Sequence, residues 1–199
     1  MKKLVFASLL LSVATGPAIA ADAGDWTVRA GPYLVAPKSD NSDIVGVDDG
    51  TSLGFTISYN FTENWAVELL AATPFSHDIT LNADGSKVAE TKHLPPTLSV
   101  QYHWVNPSAF RPYIGVGLNY TTFFDESTTG ALEGTSLSLD DSFGIASQLG
   151  ANYEINDRWQ LNLDIRWINI ETDASLDGVE IATVEIDPVV YGLNVGYRF

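Results

Sequence analysis

From residue 26 onward the chain follows a period of two. Eight stretches alternate large apolar side chains with polar or small ones: 26–34, 53–61, 65–75, 94–104, 113–122, 143–155, 159–167 and 189–199. In the first, Trp26, Val28, Ala30, Pro32 and Leu34 alternate with Thr27, Arg29, Gly31 and Tyr33. In the seventh, Trp159, Leu161, Leu163, Ile165 and Trp167 alternate with Gln160, Asn162, Asp164 and Arg166. Successive side chains of a strand point to opposite faces, so each stretch predicts a β-strand with one apolar and one polar face. Each has the length a tilted strand needs to cross a hydrocarbon layer, about 10 residues.

Two architectures share this pattern. A soluble barrel or sandwich turns the apolar face inward, and a membrane barrel turns it outward. The apolar faces end in aromatics (Trp26, Phe61, Trp65, Phe75, Tyr102, Trp104, Tyr153, Trp159, Trp167, Tyr197 and Phe199), the arrangement of an interfacial girdle. The other face is Gly, Asn, Ser and Thr with few charges, where a soluble exterior would carry many Lys and Glu. Both features favour the membrane. Short connections at 62–64, 106–109 and 156–157 alternate with long ones at 36–51, 76–92, 125–141 and 171–187. The prediction is an all-β fold: an eight-stranded antiparallel transmembrane β-barrel with short periplasmic turns and four longer extracellular loops. Phe199 at the last position, with Tyr197 before it, has the form of an assembly signal read by the barrel assembly machinery of the outer membrane.

The first twenty residues stand apart. Lys2 and Lys3 precede an apolar run from Leu4 to Val13, Gly16 and Pro17 break it, and Ala18-Ile19-Ala20 follows. This is a secretory signal peptide cleaved after Ala20, because so short a run falls well below the roughly 20 apolar residues of a spanning helix. The mature barrel is then 21–199. An exported chain without a spanning helix that enters a membrane must do so as a closed sheet.

Charge sharpens the orientation. The chain holds 25 acids and 10 bases, which argues against nucleic acid as a partner. The acids gather in the long connections. The third holds Asp125, Glu126, Glu133, Asp140 and Asp141, and the fourth Glu171, Asp173, Asp177, Glu180, Glu185 and Asp187. An acidic outer mouth repels anionic solutes and attracts divalent cations such as those bridging lipopolysaccharide. The chain has no cysteine, which removes disulfides, thiolate metal sites and cysteine nucleophiles.

Several runs resemble the outer membrane protein W (OmpW) family: Val67 to Phe75, Leu94-Pro95-Pro96-Thr97-Leu98, Arg111-Pro112-Tyr113, Asn119 to Asp125, Asp141 to Gly144, Ile186-Asp187-Pro188 and Gly196-Tyr197-Arg198-Phe199. The resemblance spans the mature chain. It implies a barrel in the cell outer membrane of a Gram-negative bacterium, among lipid and lipopolysaccharide, with a narrow channel for small hydrophobic solutes. It also implies an apolar constriction inside. Leu70 matches one position of it. The position of Arg166 is tryptophan in some members and arginine in others, which sets an aromatic gate against polar closure.

The interior of eight strands is about wide enough for side chains to fill, which excludes a wide aqueous pore. The expected inward charges are Arg29, Glu68, Asp164, Arg166, Arg198 and, at the periplasmic rim, Glu154. Unpaired burial is costly, so ion pairs are expected, Glu68 with Arg29 and Asp164 with Arg166. They either plug the lumen or form a gate that rearranges. Gly115, Gly117, Gly144, Ala146, Gly150, Gly192 and Gly196 face inward, leaving room for bulky side chains from other strands or for a cavity. Pro74, near the outer end of the third strand, and Pro95 and Pro96, near that of the fourth, have no N–H for the ladder. They predict either a lateral opening, through which an apolar solute leaves for the membrane, or a bulge that ends pairing.

An enzyme would need a base or nucleophile held by partners. His77 and His93 flank the second long connection and could meet across its neck, but no serine motif accompanies them. With Asp78 they form a poor metal spacing. His103, inward near the periplasmic rim, reads as a hydrogen-bonding filler. The sequence therefore predicts no enzyme, cofactor or metal. The alternative to a channel is a structural or interaction barrel, serving membrane integrity, adhesion, or phage and bacteriocin docking.

Overall fold

The computed structural model describes residues 21–199; the expected signal peptide lies outside the described residues. The strands are β1 (Trp26–Ala36), β2 (Val45–Val47), β3 (Gly50–Asn60), β4 (Trp65–Ala72), β5 (Phe75–Leu81), β6 (Lys87–Leu94), β7 (Thr97–His103), β8 (Phe110–Thr128), β9 (Leu137–Leu139), β10 (Ser142–Glu154), β11 (Trp159–Ile168), β12 (Glu171–Leu176), β13 (Val179–Glu185) and β14 (Val189–Arg198). Eight of them close a barrel in the order β1-β3-β4-β7-β8-β10-β11-β14, antiparallel at every step, with β14 returning to β1.

Burial decides which face meets lipid. Over the lower part of the wall the buried residues are mostly polar: Gln101 and Asn119 are 0% exposed, Asp164 and Arg166 1%. Val116 and Phe143 on the opposite face are 69% exposed. That is a soluble protein turned inside out, stable only with hydrocarbon around it. Local chemistry closes the three short turns. Thr62 Oγ1 accepts from the Trp65 amide at 2.9 Å, Asn106 Oδ1 from Ser108 at 2.8 Å, and Asn156 Oδ1 from Trp159 at 2.9 Å.

The outer ends differ from the expected loops. Large parts of the long connections are strand and build a head on the barrel. β5 and β6 form a hairpin, β2 pairs with β5, and β6 continues onto the upper half of β8, which runs for 19 residues. β12, β13 and β9 form a second small sheet. An apolar core inside the head continues down into the barrel, from Ile186, Ile170 and Phe123 to Leu70 and Tyr33.

The wall is interrupted at one seam. β4 and β7 pair from Trp65↔Tyr102 up to Leu70↔Thr97, and pairing resumes only at Phe75↔His93. Between those points lie residues 71–74 on one edge and 94–96 on the other, with Pro74, Pro95 and Pro96 among them. The extra residue on the first edge reverses the parity of the strand, since a slip of one moves every later side chain to the other face. This corrects the girdle: Phe75 is not a lipid-facing aromatic but lies inside, 2% exposed.

Candidate functional site

The interior has two tiers of different chemistry. The lower one is polar and filled. Glu68 on β4 lies opposite β11 in the closed barrel, so side chains from the two strands meet at the axis. Arg29 Nη1 donates to Glu68 Oε2 at 2.5 Å, and Arg166 Nη2 donates to Glu68 Oε1 at 2.5 Å. Arg166 Nε donates to Asp164 Oδ1 at 2.6 Å. Two guanidinium and two carboxylate groups thus make one neutral chain across the lumen. Gln148 donates to Asp164 and Glu68 at 2.5 and 3.2 Å, and the Tyr113 hydroxyl donates to Asp164 at 2.8 Å. Ser58, Gln101 and Asn194 extend the network until all eight barrel strands contribute.

The small-residue wall is filled from other strands. The Tyr33 ring occupies the space where side chains at Gly54 and Gly192 would stand, and the Tyr113 ring does the same at Gly150. Near the periplasm Arg198 donates to Glu154 at 2.7 Å, with Arg111 3.9 Å from the same oxygen. Arg111 was not among the expected inward charges, although it shares the parity of Tyr113. His103 bonds Gln101 at 3.0 Å.

The upper tier is apolar. Leu70, two residues above Glu68 on its strand, forms its floor with Tyr33, and Phe75, Phe123 and Ile168 rise above. Of the three prolines, Pro95 is buried, while Pro74 and Pro96 face outward. The unpaired seam lies beside this tier. Pro96 is held from the far side, its carbonyl accepting from the Tyr120 amide at 3.1 Å.

His77 and His93 stack inside the head with ring centroids 4.8 Å apart. Burial holds both below the ordinary histidine range, His93 at about 3, although Asp48, Asp49 and Asp78 pull His77 upward. The unfolded chain takes up these protons below about pH 6.5 and the folded head does not. Head stability is therefore complete above that pH and falls as the pH drops, the His93 contribution being lost at up to about 1.4 kcal/mol per pH unit down to about pH 3. Hydrogen exchange in β5 and β6, corrected for intrinsic rate, is expected to show more opening at pH 4.5 than at pH 7.5. Equal protection at both values would contradict this. On the outer face of the head, Lys87 binds Asp78 and Glu90 at 2.7 and 2.8 Å, and Lys92 binds Asp125 at 3.1 Å. Asp78 is thereby held in an ion pair of its own.

Over residues 22–199 the chain matches the OmpW family. The chain belongs to the OmpW family. It is 44% identical to outer membrane protein W of Vibrio cholerae over 210 residues, 96% of each chain. The crystal structure of outer membrane protein OprG from Pseudomonas aeruginosa is similar with a TM-score of 0.80 at 37% identity, over 90% of this chain and 98% of that one. A third relative is the dibenzothiophene metabolism operon protein PahQ of Pseudomonas aeruginosa. It is 30% identical over 156 residues, 76% of this chain and 72% of PahQ. The OmpW-family barrel described above is thus a transmembrane protein of the Gram-negative outer membrane. Arg166 stands in this member within a polar closure, one layer below Leu70.

Proposed function

We propose that this barrel passes small hydrophobic molecules without catalysing any reaction on them. A solute enters the apolar tier from the head, meets the constriction formed by Leu70 above Arg29, Glu68, Asp164 and Arg166, and leaves sideways into the membrane at Pro74, Pro95 and Pro96. The observation that carries this reading is the break in the ladder between Leu70↔Thr97 and Phe75↔His93, placed beside the apolar tier and above the polar one. An apolar molecule gains nothing by displacing paired charges below, whereas the seam gives onto hydrocarbon. The relation to a dibenzothiophene operon protein supports an apolar cargo. The acidic head turns away anions, and Phe199 with Tyr197 serves as the signal for the assembly machinery.

The filled lower tier favours a second reading, a structural or interaction barrel without transport. Uptake of dibenzothiophene by cells expressing the chain, in a host without other OmpW-family barrels, separates the two. Wild type is expected to exceed the empty host. Pro74→Thr, Pro95→Thr and Pro96→Thr together are expected to lower uptake roughly tenfold, the effect of about 1.4 kcal/mol on a barrier. Unchanged uptake in the triple variant would overturn the lateral route. Wild-type uptake equal to the empty host would favour the structural barrel.

A further inference from the structure

One strand of the head has a free edge. β13 is the outer member of the sheet β13-β12-β9, and β12 is its one strand partner among the described residues. In an antiparallel pair the N–H and C=O of one residue point to the same side, and the side alternates along the strand. The Glu185 amide donates to the Asn41 carbonyl at 2.9 Å, and the Glu185 carbonyl accepts from Asn41 Nδ2 at 3.0 Å. The main chain of Glu185 thus points away from β12. The ladder is regular from Ala182 to Glu185, so Thr183 points the same way. No group among the described residues bonds its N–H or C=O on that side.

The segment 38–41 begins a partner for this edge and then leaves it. The Lys38 amide donates to the Ile186 carbonyl at 3.0 Å, and Asn41 holds Glu185. The Ser42 hydroxyl oxygen then accepts from the Ile44 and Val45 amides at 3.2 and 3.0 Å and turns the chain away. An open groove of about 510 Å³ is left between residues 40–44 on one wall and 181–183 on the other. Its surface is apolar and acidic. Ile44 and Ile181 are 55% and 49% exposed. Asp40 and Asp43 line it, and Glu180 is exposed on the strand itself. The one base on its walls, Lys38, is paired with Glu185.

We propose that this groove docks an extended basic segment of another protein by strand addition, one residue of the segment exchanging main-chain hydrogen bonds with Thr183. Basic side chains of the segment pair with Asp40, Asp43 and Glu180, and apolar ones cover Ile44 and Ile181. The open main-chain groups select an extended segment over a helix, whose own N–H and C=O groups are already bonded. The carboxylates select its charge. The ladder with β12 slips at Ile181, which ends the regular edge and keeps the added strand short. This interaction goes beyond passage and requires no solute to cross the barrel.

The test uses the whole barrel in nanodiscs of zwitterionic lipid, with nitrogen-labelled threonine. The probe is a peptide of about eight residues, the length of one strand, alternating lysine and valine. It is expected to bind saturably. With the peptide at about ten times its Kd, hydrogen exchange of the Thr183 amide is expected to slow roughly tenfold. The amide of Thr172, on β12, is expected to keep its rate. N-methylation of every peptide amide is expected to weaken binding roughly tenfold, as is Thr183→Pro, which removes one donor at an edge where proline is tolerated. Glutamate in place of lysine is expected to abolish binding, and added salt to weaken it. The wild-type amide response needs no variant to fold. Absence of saturable binding would overturn the inference. So would binding that leaves the Thr183 amide at its free rate or survives N-methylation, since charge alone would then make the contact. Lipopolysaccharide that slows the Thr183 amide as the peptide does would assign the edge to a glycolipid and overturn it as well.

Discussion

Glu68→Ala is expected to lower the stability of the barrel by about 3–5 kcal/mol, the usual result of removing one partner from a buried ionic set. Glu68 is 1% exposed and receives both Arg29 and Arg166. Its removal leaves that set with two guanidinium groups and one carboxylate, and takes a hydrogen bond each from Ser58 and Gln148. No water-filled pore surrounds the site to hydrate the surplus charge. Denaturant titration in lipid vesicles reads the loss, with Glu171→Ala on the exposed head as a control within about 0.5 kcal/mol. Adding Arg166→Met to Glu68→Ala removes a now unpaired charge and is expected to recover part of the loss. A Glu68→Ala barrel within 1 kcal/mol of wild type would show that the network contributes little.

The second large effect concerns a ring against two glycines. Tyr33 is 2% exposed, its hydroxyl accepts from Asn194 Nδ2 at 3.1 Å, and its ring covers Gly54 and Gly192. Tyr33→Ala empties the junction of the two tiers and is expected to destabilise by about 3–5 kcal/mol. Gly192→Val drives a side chain into the same ring, at about 1–3 kcal/mol. The two changes compete for one volume, so the double variant is expected to fall short of their sum by about 0.5–3 kcal/mol. Full additivity in the same titration would mean that the ring does not rest on Gly192.

Parity carried most of the fold. Alternation along 159–167 already sets Asp164 and Arg166 inward and Trp159 and Trp167 outward, because a strand offers a side chain only two directions. The same rule put Arg29 and Glu68 on the inner face. It could not show that Arg166 crosses to Glu68, because that contact exists only once the sheet closes and sets β4 opposite β11. Nor could it follow the chain past Pro74, where one unpaired residue reverses the pattern and turns Phe75, His77 and Ile79 inward. Without that reversal, the alternation does not carry into residues 76–92, where the structure has β5 and β6. Tyr33 and Tyr113 sat on the expected inner face, but their role as fillers depends on glycines of neighbouring strands, which sequence distance conceals.

The two sides of the broken seam are not mechanically alike. β8 pairs with β7 below the break and with β6 above it, so a single unbroken strand backs the proline pair on that side. On the other side the ladder with β3 covers Ala71 and Ala72, the Thr73 amide donates to Leu53, and past that only the Ser52 side chain reaches across, donating to the carbonyls of Thr73 and Pro74 at 2.8 and 3.2 Å. One jamb is thus backed by a continuous ladder and the other, at its upper end, by a single serine side chain, and on the proposed lateral route the opening is as long as residues 71–74. Their contour is roughly 13 Å. On the proposed route, a slot of that shape would admit a planar ring system edge-on or a single extended chain and refuse branched or globular molecules of equal hydrophobicity.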